Sequence, residues 1–432
     1  MLPGLWSGAG VIIALDPIPT IMVSRSVIPV SLCEISVIIS SKYVPAKILY
    51  LGGFVIITVD RENMPPIQLP KISTREPKIG DKIEVVGLDS DSQLVHKETQ
   101  ISTITQNNNG MFLPPGWQQP CGTEAIFIRD LPQCAGGVLV DPEDKSLIAL
   151  WAMAEPSNKF FGLNFQQYIQ PILKTLEKGE EVRLWSHGWT FILFQLHSSL
   201  DMGVKEPHTS NIRLIARNFN AEPYAVVVSS KIGFKRPVSE DNDFKLGDFI
   251  IQIDRTPVGR TADLRLLAQR ESAKVLIMRN GREMQIESRG VAQPAQSTLR
   301  IVSWAGLILQ KSITGVEPTP EFMASLGKEG IENPDDMVYI AAVTLGGPSI
   351  GSLAPATWIL EVDNEKVRKL DDILYIIEKN KGSGQNSDEY TRIKVLSRDG
   401  STPIAGIKLD SKLHPAWILE GKEGKWEFRE LE

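Results

Sequence analysis

The 432-residue sequence predicts a multidomain, mainly β fold. Three observations carry the prediction. Residues 1–163 hold short runs of Val and Ile broken by Pro, Gly and Asn, the punctuation of a barrel or sandwich. Residues 164–180 then change to helical spacing. After Glu181 the chain repeats itself, and two copies of one unit of about 110 residues account for the pattern.

Taken in order, strands are expected at Val11–Leu15, Ile35–Ile39, Phe54–Val59, Lys82–Val86 and Ala125–Ile128. Thr105–Trp117, with its Asn-Asn-Asn-Gly and Pro-Pro-Gly runs, reads as a loop. Phe165, Tyr168, Ile169, Ile172, Leu173 and Leu176 then share one helical face, and Gly179 suits the stop. In the repeat, Phe249–Val258 matches Trp358–Val367, so Asp363 follows Asp254 by 109 residues. A helix is expected after each copy, at Ala262–Gln269 and Asp371–Lys379, then a strand and charged turn at Lys274–Gly281 and Arg392–Gly400. Gln285–Gln296, with Gly290 and Pro294, reads as the linker between copies, and Asn380–Tyr390 as a polar loop inside the second.

Composition narrows the partners. A net charge of −6 offers no basic stripe for nucleic acid. No apolar run approaches the roughly 18 residues of a membrane span, so no membrane partner is expected. Met1 to Asp16 lacks the pattern of a secretory signal. Cys33, Cys121 and Cys134 are an odd number in a long chain, which fits a reducing compartment. His187, His197 and His208 are too scattered for a metal site, and no cofactor motif is present.

Particular segments carry a family resemblance. Leu131–Val140, reading Leu-Pro-Gln-Cys-Ala-Gly-Gly-Val-Leu-Val, resembles the nucleophile loop of a chymotrypsin-type protease with Ala135 in place of the serine. Ser7–Ile13 resembles the strand that opens HtrA-type protease domains. Leu246–Asp254 resembles the Gly-Asp strand signature of PDZ domains in their permuted, HtrA-attached form, and Gly346-Gly347-Pro348-Ser349 resembles another segment of that fold. The order of segments, Ala149-Leu150-Trp151, Ser303-Trp304-Ala305-Gly306 and the tail from Leu413 to Trp426 are similar to the C-terminal, degenerate half of the duplicated HtrA/Deg-type serine proteases, fungal nuclear and plant four-PDZ.

The resemblance implies a trypsin-like double β-barrel, N-terminally truncated, followed by two PDZ-like α+β domains. The implied division is barrel 1 at 1–66, barrel 2 at 67–163, a linker helix at 164–181, PDZ-like domains at 182–290 and 299–410, and a tail at 411–432. It begins at about the third strand of barrel 1 and carries no catalytic half. The family's base, orienting acid and nucleophile fall on Ser26, Gly53 and Ala135, so no catalytic residue is expected. Cys134 lacks a histidine at the base position to activate it. PDZ domains add a peptide strand to a sheet edge and hold its terminal carboxylate on backbone N–H groups. By resemblance the peptide-binding residues are His187, Gly188 and Trp189 in the first copy, and Trp304, Ala305, Gly306 and Leu307 in the second.

The implied function is a non-catalytic module that binds protein or peptide segments, C-termini among them. It would assemble with a catalytic HtrA half or with itself, inside the cell, in nucleus or cytoplasm. Two alternatives stay open. One is an active endopeptidase that draws on Ser24 or Ser26 with His96. The other is a structural protein whose PDZ-like grooves are closed and which braces an oligomer.

Overall fold

The computed structural model describes residues 8–25, 27–28, 35–89, 91–107, 123–132, 134, 136–154, 159–180, 182–231, 243–293, 299–312, 320–331, 337–382, 390–397, 399–422 and 425–431. The fold class is the expected one: mainly β, with barrel modules followed by two α+β units.

The first module pairs β1 (Gly10–Ala14), β2 (Thr20–Ser24), β3 (Ile35–Ile39), β4 (Lys42–Leu51) and β5 (Phe54–Thr58) in the order β1-β2-β5-β4-β3. Among the described residues this sheet does not close on itself. The second module does close. It contains β6 (Lys82–Leu88), β7 (Leu94–Asn107), β8 (Thr123–Ile128), β9 (Gly137–Val140), β10 (Leu147–Ala154) and β11 (Lys159–Asn164), in the order β10-β11-β8-β7-β6-β9. Closure removes the unpaired edges that an open sheet exposes. The two modules share a core, in which Met22, Phe54 and Ile56 pack with Val138 and Leu150.

The segment expected as one helix begins with a π turn at Phe165–Ile169 and continues as α1 (Gln170–Glu177). Asn164 caps the turn, its side chain accepting from the Gln167 N–H. The predicted apolar face is buried on the barrel core through Phe165, Tyr168, Ile169, Ile172 and Leu173.

The first repeat contains β12 (Leu184–Ser186), β13 (Trp189–Gln195), α2 (Leu196–Asp201), α3 (His208–Asn218), β14 (Tyr224–Lys231), β15 (Phe249–Ile253), β16 (Thr256–Pro257), a 3-10 turn at Thr261–Leu264, α4 (Arg265–Ala268), β17 (Ser272–Arg279), β18 (Arg282–Arg289) and β19 (Val291–Gln293). Its main sheet runs β13-β14-β15-β17-β18, while β12 pairs with β19 in a separate ribbon. The expected linker at Gln285–Gln296 is therefore corrected. Its described part is strand on both sides of Gly290, because Ile286 and Ser288 alternate inward along β18 and Val291–Gln293 pairs with β12.

The second repeat contains β20 (Arg300–Trp304), β21 (Leu307–Lys311), α5 (Pro320–Lys328), β22 (Val338–Val343), β23 (Thr357–Val362), β24 (Glu365–Lys366), α6 (Leu370–Gly382), β25 (Tyr390–Leu396) and β26 (Ile404–Lys408). The tail adds β27 (Trp417–Lys422) and β28 (Lys425–Glu430) to the same sheet, in the order β26-β25-β23-β22-β21-β20-β27-β28. The polar loop expected after Asn380 is corrected at its start, since α6 runs on to Gly382; residues 383–389 lie outside the described residues.

The repeat seen in sequence is a repeat of hydrogen bonds. Asp254 and Arg255 (φ 46° and 70°) and Asp363 and Asn364 (φ 47° and 68°) form the same left-handed two-residue turn. Asp254 accepts from the Lys274 N–H at 3.0 Å and Asp363 from the Arg392 N–H at 2.7 Å. Before each helix a carboxylate closes the loop. Asp263 accepts from the N–H groups of Gly259 and Arg260, and Asp372 from those of Arg368 and Lys369. Each pair of positions is again 109 residues apart.

Candidate functional site

The protease-like positions come first. Ser26 and Ala135 lie outside the described residues. Gly53 sits with Gly52 in the turn between β4 and β5, where Gly52 donates to the Phe54 carbonyl at 2.9 Å. A Cβ on Gly52 would fall 1.9 Å from the Tyr50 hydroxyl, so the Tyr50 ring dictates glycine there. Burial pushes the Tyr50 hydroxyl pKa well up, which keeps it neutral. Arg25, next to Ser26 and buried, donates to the Gly52 carbonyl at 3.2 Å.

The glycine pair after Ala135 has a packing reason. Gly136 and Gly137 have φ of 107° and 139°. A Cβ on Gly137 would fall 2.2 Å from the Val86 carbonyl oxygen, so only glycine lets β9 pair this closely with β6. Cys134 is buried beside them, and burial pushes its thiol pKa up, away from the reactive thiolate. Of the alternative catalytic residues, Ser24 is fully buried at the end of β2. His96 lies on β7 with Nε2 3.0 Å from Glu84. Glu84 also accepts from Lys145 at 2.7 Å, and these hydrogen bonds, Lys145 first and His96 second, hold its carboxyl below the ordinary range.

In the first repeat, His187, Gly188 and Trp189 form the passage from β12 to β13. His187 is buried and fully used. Its Nδ1 lies 2.8 Å from the Ser288 hydroxyl, and Nε2 lies 3.0 and 3.1 Å from the carbonyls of Leu267 and Arg270. Two carbonyls at Nε2 require the proton there, so Nδ1 accepts from Ser288. Burial holds the ring below its ordinary pKa and neutral. Gly188 has φ 76° and donates to the Ser186 hydroxyl at 3.3 Å. Trp189 is buried with Phe191, Leu264 and Leu267, and its Nε1 reaches Asp243 at 3.3 Å. β13 ends the sheet order, and the 3-10 turn and α4 pack beneath its Phe191 face.

In the second repeat, Trp304, Ala305, Gly306 and Leu307 are a tight hairpin. Trp304 faces Leu307, and Ala305 and Gly306 (φ 54° and 71°) make the turn. Ala305 accepts from the Ser349 hydroxyl at 2.6 Å, and Gly306 accepts from the Thr344 N–H at 2.8 Å. A Cβ on Gly306 would fall 2.8 Å from Pro348. The hairpin folds β20 onto β21, and β27 and β28 extend the sheet beyond it. The edge of β21 facing away from β22 is therefore already paired by this chain.

Sequence reasoning missed two features around β13. Gln106, at the end of β7, donates from its side-chain amide to the Phe191 carbonyl and accepts from the Leu193 N–H at 3.2 Å. Arg260, in the loop before the 3-10 turn, reaches Glu124 on β8 in a bidentate pair and stacks 3.7 Å over Phe219. Arg260 is 12% exposed and Glu124 7%. Burial works against the Arg260 charge, but Glu124 beside it more than offsets this and raises its pKa. A lone Gln at a strand end and an Arg before a helix give no sequence signal of such contacts.

The scan against protein-family models matches none. Curated proteins do match. The pro-apoptotic serine protease NMA111 of Ajellomyces capsulatus is 25% identical over 91% of this chain and 38% of its own length. The proteins of that name from Aspergillus niger and Coccidioides immitis are each 24% identical over the same shares. Similar solved structures include the HtrA-type protease AlgW with a decapeptide (15% identity, TM-score 0.43, 66% of this chain and 83% of that one) and with a tripeptide (14%, 0.45, 66% and 89%). This chain spans 38% of the length of the first curated relatives it matches. By sequence the chain is similar, over 91% of its length, to fungal pro-apoptotic serine proteases.

Proposed function

We propose that this chain is a non-catalytic relative of the serine proteases that binds extended protein segments on β13 of the first repeat. The observation that carries this reading is the contrast between edges. β13 ends its sheet order above an apolar floor of Phe191, Leu264 and Leu267, whereas β21 is paired on both sides. Strand addition needs backbone N–H and C=O groups that no strand of the same sheet has taken. The glycine-bearing passage at His187-Gly188-Trp189 stands at the start of that edge. There the buried His187 shapes the loop, while the segment meets the backbone of β13.

The non-catalytic part of the reading rests on residue chemistry. Ala135 carries no nucleophile, Gly53 no carboxylate and Ser26 no imidazole. Losing one member of such a triad costs about four orders of magnitude in rate. A partner with an intact site, an HtrA-type protease half, then supplies any proteolysis, while assembly with a second copy adds none. The setting is protein quality control or cell death, in nucleus or cytoplasm. No helix among the described residues is long and apolar enough to cross a membrane.

The test pairs two assays on the purified chain. Fluorophosphonate labelling and casein cleavage should both be blank, and a C-terminal peptide array should give hits that map to residues 182–293. Labelling of the unaltered chain would overturn the non-catalytic reading. An array without hits would overturn segment binding.

A further inference from the structure

We propose that the barrel gates the first repeat: the side-chain amide of Gln106 occupies the backbone of β13 as a removable plug, and an extended segment pairs with this edge only when Gln106 withdraws. The proposal rests on the reading of β13 as the segment-binding strand.

The geometry is that of strand pairing carried out by one side chain. A primary amide presents an N–H and a C=O side by side, as a single residue of an extended strand presents its own N–H and C=O to one neighbour. On β13 the carbonyl of Phe191 and the N–H of Leu193 flank Ile192. A strand added here would use that carbonyl and that N–H, through one of its residues when parallel and through the two residues beside the one opposite Ile192 when antiparallel. Gln106 takes both, one with its nitrogen and one with its oxygen. An incoming segment and Gln106 therefore compete for the same two backbone groups.

The plug is held by more than its own two bonds. Gln106 stands directly opposite Glu124 across the β7–β8 pairing, so the two side chains leave the same face of the barrel. Glu124 holds Arg260, which begins the turn lying under β13. Glu76 of the second module also reaches Arg260, at 3.5 Å. One patch of the barrel thus grips the repeat by its charge and covers its edge with an amide. The charge contact keeps the two bodies together when the amide lets go, so the plug can open and close without separation of the modules. This contact is chemically specific: Asn in place of Gln keeps the amide but is one methylene shorter and cannot reach both groups from the same backbone.

The test uses the full chain, with Gln106→Ala and Gln106→Asn. Backbone amide exchange is read at Leu193, with unfolding midpoints checking that the variants fold. Binding is read with a fluorescein-labelled decapeptide that ends in Ala-Val-Leu with a free carboxylate. Both variants should speed Leu193 exchange roughly tenfold and bind the peptide roughly tenfold more tightly, the worth of two modest hydrogen bonds. Unchanged Leu193 exchange in a folded variant overturns the plug, as does faster exchange with weaker peptide binding. Faster exchange with no peptide bound by any chain supports the plug as an edge cover and sinks the segment-binding reading instead.

Discussion

The two repeats share a skeleton and differ at their edges. Both have the left-handed Asp-containing turn, the Asp that closes the loop before the helix, and the bulge in the central strand pair between Ile250 and Gln252 or Ile359 and Glu361. They part where the chain enters. In the first, β12 leaves to pair with β19 and β13 is left at the end of the sheet. In the second, β20 folds back on β21 and carries β27 and β28 with it. One duplicated core thus yields a repeat whose edge is covered by a side chain and a repeat whose edge is covered by strands. Removing a side-chain cover costs a couple of hydrogen bonds, while removing the strands means unfolding a ladder. That is why the first is read as a binding edge and the second as a brace.

The largest expected effect breaks the link between barrel and first repeat. Arg260→Ala leaves Glu124 buried without its cation, a loss of about 3–5 kcal/mol. Calorimetry should then resolve the repeat and barrel as separate transitions, whereas Lys369→Ala at the matching position should not separate anything from the barrel. Next, Gly306→Val forces a β-branched residue to φ 71° with Pro348 in the way, at about 2–3 kcal/mol. It should uncover β21, so exchange at Leu307 and Leu309, whose N–H groups face β20, should rise; unchanged protection would mean β20 holds without its turn. His187→Ala strands the Ser288 hydroxyl and two carbonyls, at about 1–3 kcal/mol, and should weaken any peptide binding by loosening the entry to β13.

The smallest effect is on pH. Burial depresses the pKa of His187 in the folded chain below its unfolded value of 6.5. The unfolded state then binds the proton first, so this stability is present above about pH 6.5 and is lost as pH falls towards the folded pKa. Asp263 acts with the opposite sign. Burial pushes its carboxyl up to about 6, so the folded state binds the proton first and gains stability as pH falls from about 6 towards the ordinary carboxylate range. His187→Asn should therefore flatten the loss near pH 6 in urea melts of the first repeat. No change in that profile would mean the ring does not titrate with folding.

Much of the skeleton was legible. Apolar alternation and the 109-residue spacing located the strands, because buried strand faces and tight turns constrain residue type directly. The helix at 164–180 was legible for the same reason, though not its π start. Edge pairing was not legible. The tail from Leu413 was visible as a family mark, but nothing in Trp417–Lys422 says that it pairs with β20 rather than another strand. Gln285–Gln296 read as a linker because Gly290 and Pro294 outweighed the weak alternation of Ile286 and Ser288. In the candidate site, the structure places His187 between β12 and β13 and Trp304 at the end of β20. Their side chains turn inward, however, and the groups left to meet a ligand are backbone atoms, which every sequence supplies. Gln106 had no local signal at all, because its partners lie more than eighty residues away.

The most direct test of the central claim places a photo-crosslinking residue, p-benzoylphenylalanine, at Ile192 in one chain and at Ile308 in another. Each chain is irradiated with the hits of the peptide array. The account expects adducts from position 192 and none from position 308. Adducts from position 308, or from both positions equally, would contradict it.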